Sequence, residues 1–500
     1  MAVNVPARPA DAGAELKRGA LFNTIAILAS NFRGVFTFLI ARLLGAAALG
    51  TFSVAWATTD LFSKIGVFGL DNTITTFIAR SEAVGTHARS RMLFRLAVAL
   101  GVMQSAVIAA CVVVAIELFG PQLGLNSQMV STLALLICAM PGIALYRIST
   151  SVSRGMKVMA HDIYSRGLAE PIATTSAFLL ALTLGFAMRA PAAAAIVGTA
   201  MSGVVAFCFA STLFRGVSSG RKRVSVRQET REMLSYAAPI SAYQALNSLI
   251  SRLDVIMLGC FVGRAPGVTL TVVGVYGAAV EVANGARKVN QAFNPIFIPV
   301  VAGMTATGDH HRAAATYARL AQWMLWILLP LISVMALAGS TILMIYGTEF
   351  RQGGTWLAII AVACATHTFV SLGETVIMVQ RPGLNLRHSL IASVVALGAM
   401  LLLIPRYGAI GAAFGILVPY SVLAILRYRA MRFVFQWRIS LSNLAPPMIA
   451  AIAALVPALI LRVALKDVTG QIASAAVFLA IFGLVWNFRA RLRAITVDSP

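Results

Sequence analysis

Apolar runs and short gaps alternate along the whole 500-residue chain, and this alternation constrains the fold more than any other feature. The fourteen runs lie near residues 20–41, 47–70, 94–118, 128–147, 163–187, 191–213, 234–262, 272–302, 320–346, 355–379, 388–404, 409–426, 444–464 and 471–488. Most have the roughly 20 residues that a helix needs to cross a hydrocarbon core. Every second gap is rich in Lys and Arg, and such gaps stay cytoplasmic by the positive-inside bias. The pattern predicts an all-α polytopic membrane protein of about fourteen transmembrane helices with both termini in the cytoplasm.

The composition excludes a soluble protein and supports this interpretation. The chain is 59% hydrophobic and only 11% charged, with a formal net charge of +23. A large positive charge is typical of nucleic-acid binders. Here the charge is distributed over many short gaps, which membrane topology alone explains. We therefore expect no nucleic-acid partner, and we expect contact with membrane lipid.

The runs divide into two similar halves. The predicted organisation is a cytoplasmic tail at 1–19, an N-lobe with spans 1–6 at 20–214, a cytoplasmic linker at 215–233, a C-lobe with spans 7–12 at 234–426, two additional spans within 427–488 and a cytoplasmic tail at 489–500. Both halves open their second span with a Gly-x-aromatic step, at Gly50-Thr51-Phe52 and at Gly274-Val275-Tyr276. An even number of spans in each half predicts a parallel repeat, which places a substrate pathway at the interface of the halves.

Cationic residues inside the runs are the candidate substrate-binding groups. When Gly50 is aligned with Gly274, Lys64 falls on Lys288. A charge at the bilayer centre costs about 2.5–3.5 kcal/mol on insertion scales, so these side chains must face protein partners or a wet cavity. The candidates are Arg33, Lys64, Arg166, Arg252 and Lys288. A cavity lined by such groups suits a phosphate or pyrophosphate, which accepts several charge-assisted hydrogen bonds. We expect Arg287, which lies beside Lys288 but off its helical face, at the membrane interface instead.

Acidic residues inside the runs are the candidate ion-coupling groups. They are Asp60, Asp254, Glu281 and Glu374. A carboxylate in a low-dielectric cavity can exchange a proton or Na⁺ between conformations. The alternative is that these groups only balance the charge of nearby cations. Asp60 and Lys64, for example, are four residues apart and can neutralise each other on one helix.

The sequence contains no recognisable catalytic constellation. It lacks a Gly-rich phosphate loop, a zinc-protease motif and a Ser-His-Asp grouping outside the runs. Its five cysteines all lie within apolar runs without metal-ligand spacing, which is typical of core residues. We therefore predict that the protein is not an enzyme and holds no cofactor and no metal.

Several ordered motifs resemble those of a known transporter family. The segments 41–45 (ARLLG) and 49–55 (LGTFSVA) resemble the N-terminal signature of bacterial polysaccharide flippases. The segments 254–259 (DVIMLG) and 274–276 (GVY) are similar to that family's seventh and eighth spans. The segment 407–415 (YGAIGAAFG) is similar to its twelfth-span entry. These proteins translocate O-antigen or exopolysaccharide repeat units and belong to the multidrug/oligosaccharidyl-lipid/polysaccharide exporter superfamily.

The resemblance implies a V-shaped bundle of two lobes that works by alternating access. It implies that the substrate is an undecaprenyl-pyrophosphate-linked oligosaccharide, moved to the outer leaflet of the bacterial inner membrane. Arg33, Lys64, Arg252 and Lys288 are the positions that could supply the family's cationic cavity. It also implies a monomer, with a polysaccharide polymerase and export proteins as possible partners. The extra pair at 444–488 is similar to that of fourteen-span lipid II flippases, whose added helices help form a groove for the lipid tail.

Four alternatives remain at this point. A cation-coupled multidrug exporter of the same superfamily shares the fold but more often has twelve spans and an acidic or aromatic cavity. A lipid II flippase shares the additional spans, but this chain does not show that group's own motifs. A major-facilitator carrier has two six-span halves, yet the residues after span two match its loop signature poorly. A glycan polymerase or ligase carries a long extracytoplasmic loop, for which the gaps here leave no room.

Overall fold

The computed structural model describes residues 32–122, 124–215, 225–306, 310–437 and 441–497. The predicted tail at 1–19 and residues 216–224 of the predicted linker at 215–233 lie outside these residues. In the described part every regular element is helical, as expected for a chain whose backbone polar groups must be satisfied inside a bilayer. The α-helices are α1 Phe32–Val67, α2 Leu70–Ala83, α3 His87–Phe119, α4 Ser127–Ile137, α5 Met140–Gly155, α6 Ala160–Asp162, α7 Glu170–Thr183, α8 Ala190–Thr212, α9 Val226–Cys260, α10 Leu270–Ala306, α11 His310–Leu337, α12 Gly339–Leu343, α13 Gly354–Gln380, α14 Pro382–Phe433, α15 Leu441–Ala464 and α16 Val468–Val497. A π-helical segment, Ile163–Ala169, precedes α7, and a 3₁₀ segment, Thr348–Gly353, precedes α13.

Nine helical segments of the described chain are long and apolar enough to cross a membrane. Two of them, Gly34–Ala83 and Gly383–Phe433, hold 50 and 51 residues. At about 1.5 Å per residue each is more than twice as long as a hydrocarbon core is thick. The backbone leaves the helical conformation inside both, at Gly45 (φ 82°) and at Gly408 (φ 56°). These breaks lie where the sequence has the gaps 42–46 and 405–408. The segment Gly383–Phe433 contains the predicted runs 388–404 and 409–426, and Gly34–Ala83 contains the run 47–70 and the described end of the run 20–41.

The break at Gly45 is held by groups from a distant part of the chain. The backbone N–H of Ala46 donates to Oε1 of Glu349 over 2.9 Å, and Nε of Arg42 donates to the carbonyl oxygen of Ile345 over 2.8 Å. A carboxylate is favourable there because the first N–H groups of a helix lack partners within it and carry positive partial charge. Gly45 itself is required because its positive φ is one that residues with a Cβ rarely adopt.

The chain divides into two compact units. Unit 1 contains the described residues of Met1–Phe36 together with Thr58–Ala245, and unit 2 contains Thr37–Ala57 and the described residues of Leu246–Pro500. The lobe boundaries proposed from the sequence are a separate division, and they stay a prediction. In unit 1 an apolar core joins the end of α1 to α2, α3, α5 and α8 and to the start of α9. In unit 2 a further core joins α11 to α15 and α16 around Trp326 and Phe478.

Helices α1 and α10 cross within unit 2 at two glycines. A Cβ built on Gly50 would lie 2.9 Å from the backbone nitrogen of Gly274, and a Cβ built on Gly274 would lie 2.9 Å from that of Gly50. Each would overlap a carbonyl oxygen of the other helix, that of Leu270 for Gly50 and that of Ala46 for Gly274. One turn further along, a Cβ on Gly277 would lie 3.0 Å from Cβ of Ser53. The two backbones can approach this closely only because neither glycine carries a side chain.

Candidate functional site

Unit 1 contains a group of charged and aromatic side chains centred on Arg147 of α5. Its Nη2 lies 3.4 Å from Oδ1 of Asp60 on α1, and its Nε donates to the hydroxyl oxygen of Tyr146 over 3.4 Å. Arg147 and Asp60 expose only 13% and 16% of their side chains. The guanidinium of Arg166 lies over the ring of Tyr146, 5.4 Å from its centroid. The group therefore brings two cations to Tyr146 and pairs one of them, Arg147, with a carboxylate.

The π-helical segment Ile163–Ala169 positions Arg166 in this group. One extra residue per turn rotates the side chains of such a segment relative to a regular helix, and single π turns are frequent at functional sites. A guanidinium over an aromatic face gains about 0.5–1 kcal/mol at an exposed site and more when it is desolvated. Arg166 itself is exposed on its helix.

Lys64 lies on α1 in unit 1, one turn after Asp60. Its side chain is half-buried and takes part in interactions within the protein. Asp60 forms an ion pair with Arg147, a partner that the sequence does not indicate. Arg33 lies on the first turn of α1, and the side chain of this candidate is outside the described part of the structure.

Unit 2 buries a polar network around Asp254 of α9. The carboxylate is fully buried, and its Oδ2 accepts a hydrogen bond of 3.0 Å from the hydroxyl of Tyr276 on α10. Its Oδ1 has no hydrogen-bond partner among the described residues. A fully buried carboxylate is expensive unless nearby positive charge or hydrogen-bond donors offset its desolvation.

Arg287 extends this network toward α14. Its Nη2 donates to the hydroxyl oxygen of Tyr420, and its Cζ lies 5.4 Å from the centroid of that ring. The ring of His367 also packs against Tyr420, with its centroid 4.6 Å from that of the tyrosine. Arg287 therefore has an aromatic partner on α14, and the expectation of an interfacial position for it stays a prediction.

A separate ion pair connects α13 to α14. Nη2 of Arg427 lies 2.8 Å from Oε2 of Glu374, and the two side chains are 1% and 14% exposed. Breaking a buried pair of this kind by removing one partner typically costs about 3–5 kcal/mol. The contact supports the charge-balance interpretation of Glu374 rather than the ion-coupling one.

The remaining candidates of unit 2 lie on α9 and α10. Arg252, Glu281 and Lys288 are all half-buried, and Arg252 and Lys288 take part in further interactions within the protein. Glu281 lies within electrostatic reach of Tyr346. Lys64 belongs to unit 1 and Lys288 to unit 2, and their meeting in one cavity stays a prediction.

Sequence reasoning missed two of the central cations, Arg147 and Arg427. Both lie at edges of apolar runs that the sequence predicts to be cytoplasmic, where a basic residue is expected for topology alone. The signal that could have distinguished them is a carboxylate inside a neighbouring run, since Asp60 and Glu374 each require a partner. Within the described residues, no group of three or more His, Cys, Asp or Glu side chains could hold a metal ion.

The arrangement of helices matches solved transporters. The lipid II flippase MurJ in an inward closed conformation superposes with a TM-score of 0.70 at 11% identity, over 94% of this chain and 99% of that one. An inward-facing multidrug resistance MATE family transporter of the MOP superfamily gives 0.66 at 14% identity, over 82% and 94%. The Vibrio cholerae MATE transporter VcmN in the bent form gives 0.52 at 15% identity, over 83% and 98%. No curated protein sequence matches this chain significantly.

The fold and the long apolar helices are those of a multi-pass membrane protein with a MATE- and MurJ-like architecture. The chain belongs to the polysaccharide biosynthesis protein family, which it matches over residues 16–304. The resemblance drawn from the sequence motifs is thereby confirmed.

Proposed function

We propose that this protein is a flippase for an undecaprenyl-pyrophosphate-linked oligosaccharide repeat unit in the bacterial inner membrane. It carries the head group from the cytoplasmic to the outer leaflet by alternating access, for cell-surface or exopolysaccharide synthesis. In this proposal the fourteen apolar runs form fourteen spans with both termini cytoplasmic. The first twelve form two repeated lobes, and the last two are an addition that could accommodate the lipid tail.

The observation that carries the proposal is the crossing of α1 and α10. The sequence alignment pairs Gly50 with Gly274, and the structure places these two glycines against each other with reciprocal contacts. Elements related by a two-fold axis meet in this way, because a residue near the axis contacts its own equivalent. The crossing supports the repeat register, and in that register Lys64 and Lys288 are equivalent positions.

The chemistry of the candidate residues suits a pyrophosphate. Lys64 and Lys288 are half-buried ammonium groups, one from each half of the chain. Arg166 and Arg252 add planar donors that hold phosphate oxygens in pairs. A pyrophosphate between them offsets the mutual repulsion of the cations. The polyprenyl tail remains in lipid while the head group passes.

The carboxylates divide into two classes in this mechanism. Asp60 and Glu374 form ion pairs with Arg147 and Arg427, which favours a charge-balancing role. Asp254 makes its described hydrogen bond to a tyrosine hydroxyl and is fully buried. We therefore narrow the ion-coupling candidates to Asp254 and Glu281. An Asp254→Asn variant would then transport without dependence on the coupling ion or not at all.

The decisive experiment is reconstitution in liposomes with a lipid-linked oligosaccharide and an assay of its accessibility in each leaflet. We expect wild-type protein to equilibrate the substrate between leaflets. The double variant Lys64→Ala/Lys288→Ala should insert normally but lose translocation, because a buried pyrophosphate then lacks its ammonium partners. The matched control Lys64→Arg/Lys288→Arg keeps both charges and should retain most activity. Undiminished translocation by the alanine variant would remove the paired lysines from the mechanism.

A cation-coupled multidrug exporter is the second candidate, favoured by the MATE-like fold and by the buried carboxylate Asp254. The same liposomes distinguish the two functions. An exporter would extrude a cationic dye under a Na⁺ or proton gradient and would leave the lipid-linked oligosaccharide in its original leaflet.

A further inference from the structure

Unit 2 contains an apolar cavity of about 340 Å³ between α11, α13 and α14. Its walls are formed mainly by aliphatic and aromatic side chains, among them Leu325, Leu329, Ile332, Phe369 and Val370. This volume is within the range of small-molecule sites, which are mostly apolar with a few placed polar groups. None of the cationic candidates from the sequence lines it, so the cavity is distinct from the proposed pyrophosphate site.

Two buried side chains with unsatisfied donors line the same cavity. Arg427 is 1% exposed, and beyond its ion pair with Glu374 its Nε and Nη1 find no hydrogen-bond acceptor in the described chain. Trp437 is 3% exposed, and its Nε1 likewise has no acceptor there. Leaving such buried donors unsatisfied costs about 1–3 kcal/mol each, and more for a charged group. An acceptor supplied by a ligand would remove this cost.

The apolar walls and the two unsatisfied donors together determine what kind of ligand fits this cavity. Apolar walls require a hydrocarbon chain, while a guanidinium edge and an indole N–H require oxygen acceptors at one end of that chain. A sugar does not fit, because its many hydroxyls would lose their hydrogen bonds against the aliphatic walls. A free phosphate does not fit either, because it would leave the apolar part of the cavity empty. A lipid with a phosphate at the head of its chain satisfies both parts.

The position of the cavity along the chain agrees with such an occupant. Arg427 opens the predicted cytoplasmic gap 427–443, where lipid phosphates lie at the membrane surface. Val362 and Tyr428 line the cavity and are 41% and 50% exposed, so the cavity is open on that side. A chain could therefore enter from the bilayer while its phosphate stays near the headgroup level.

We propose that this cavity is a lipid-binding site, in which the phosphate of one lipid molecule accepts hydrogen bonds from Arg427 and Trp437 while its chain lies among the apolar residues of α11, α13 and α14. The site does not depend on the proposed transport function. The lipid could be a bilayer phospholipid or a polyprenyl phosphate, since the two share this chemistry.

Native mass spectrometry of the full-length protein tests the proposal. The protein is purified in detergent, delipidated and titrated with phosphatidylglycerol or with diacylglycerol of the same chains. We expect one saturable phosphatidylglycerol and at least about tenfold weaker binding of diacylglycerol, which lacks the phosphate. Equal binding of the two lipids, or no saturable binding by wild-type protein, would overturn the proposal.

Variants separate the site from general lipid contact. Val362→Trp fills the open side of the cavity and should abolish the saturable lipid. Val394→Trp is the matched control, because Val394 is 66% exposed on α14 and does not line the cavity. Arg427→Lys keeps a charge opposite Glu374 but loses the planar donors, so we expect about tenfold weaker binding. If Val362→Trp binds the lipid as Val394→Trp does, the cavity is not the site.

A competition experiment identifies the source of the lipid. Polyprenyl phosphate is added to protein already saturated with phosphatidylglycerol. Displacement by less polyprenyl phosphate than the phosphatidylglycerol concentration needed for saturation would assign the site to the carrier lipid. Displacement only at a higher concentration would assign it to bilayer phospholipid.

A gel-filtration profile and a melting midpoint equal to those of delipidated wild type establish that each variant is folded.

Discussion

The crossing of α1 and α10 gives the sharpest prediction about packing. In Gly50→Ala the new methyl group would lie 2.9 Å from the backbone nitrogen of Gly274 and closer still to a carbonyl oxygen. Carbon and oxygen atoms in contact require well over 3 Å, so the helices must separate by about 1 Å. Overpacking typically costs about 1–3 kcal/mol, and here the obstructing atoms belong to the backbone, which favours the upper end of that range.

The double variant tests the reciprocity of the contact. Gly274→Ala forces the same separation from the other helix, because its methyl group meets the carbonyl of Ala46. Once the helices have moved apart for one methyl group, the second should cost little. We therefore expect Gly50→Ala/Gly274→Ala to be less destabilised than the two single variants combined, by at least about 1 kcal/mol.

Thermal unfolding in detergent, followed by loss of the monodisperse gel-filtration peak, measures both effects. Each single variant should lower the midpoint by roughly 5 °C, given about 2–4 °C per kcal/mol for a unit of this size. Gly398→Ala is the matched control, since a Cβ there would meet nothing within 4 Å and alanine favours the helix. If Gly50→Ala melts like Gly398→Ala, or if the single effects add fully, the argument from close packing is refuted.

Three further predictions concern charged or titratable side chains that belong neither to the proposed pyrophosphate site nor to the proposed lipid site. Glu349→Gln should destabilise the protein by about 0.5–1 kcal/mol, because a neutral amide caps the helix after Gly45 less well than a carboxylate. The melting midpoint measures this loss, and an unchanged midpoint would contradict the capping role. Arg89→Ala removes both hydrogen bonds, of 2.7 and 3.0 Å, to buried Glu229, so it should lower the free energy of unfolding by about 2 kcal/mol. The control Arg95→Ala, on the exposed side of α3, should leave it almost unchanged in the same assay. Burial lowers the pKa of the His161 imidazole, so the folded protein favours the neutral form of this side chain. The stability of the fold should therefore be full above the ordinary pKa near 6.5 and should fall as the pH is lowered through that value toward the folded pKa. A pH series of melting midpoints should show a smaller fall for H161Q than for wild type.

The sequence predicted the large features of the fold because they follow from bilayer thickness and charge bias. The gaps at 42–46 and 405–408 correspond to breaks at Gly45 and Gly408, since a helix cannot continue straight for 50 residues in a membrane. The alignment paired Gly50 with Gly274 as equivalent positions of the repeat, and the structure adds that these two residues are in contact. Both inferences depend on local pattern and on symmetry, which a single sequence contains.

The partners of the buried charges could not be predicted in the same way. The i,i+4 spacing suggested Lys64 as a partner of Asp60, which stays a prediction, and it gave no sign of Arg147, which pairs with Asp60 from another helix. Arg427 is one of several basic residues in its gap, and only its burial distinguishes it from a solvated neighbour. Such pairs depend on how helices pack side by side, and spacing within one helix carries no information about that.

The break at Gly45 has a practical consequence for experiments on topology. The helix is interrupted there at Gly45 alone, and Glu349 accepts a hydrogen bond from the backbone just after it. An epitope or glycosylation tag inserted at 42–46 would therefore disrupt the local helix packing rather than report the orientation of the chain. Gly185 and Gly263 lie in connections where an added side chain meets open space. In the proposed topology those turns lie on the outer surface of the cell, so reporter sequences placed there would test that topology while leaving the helices joined as they are.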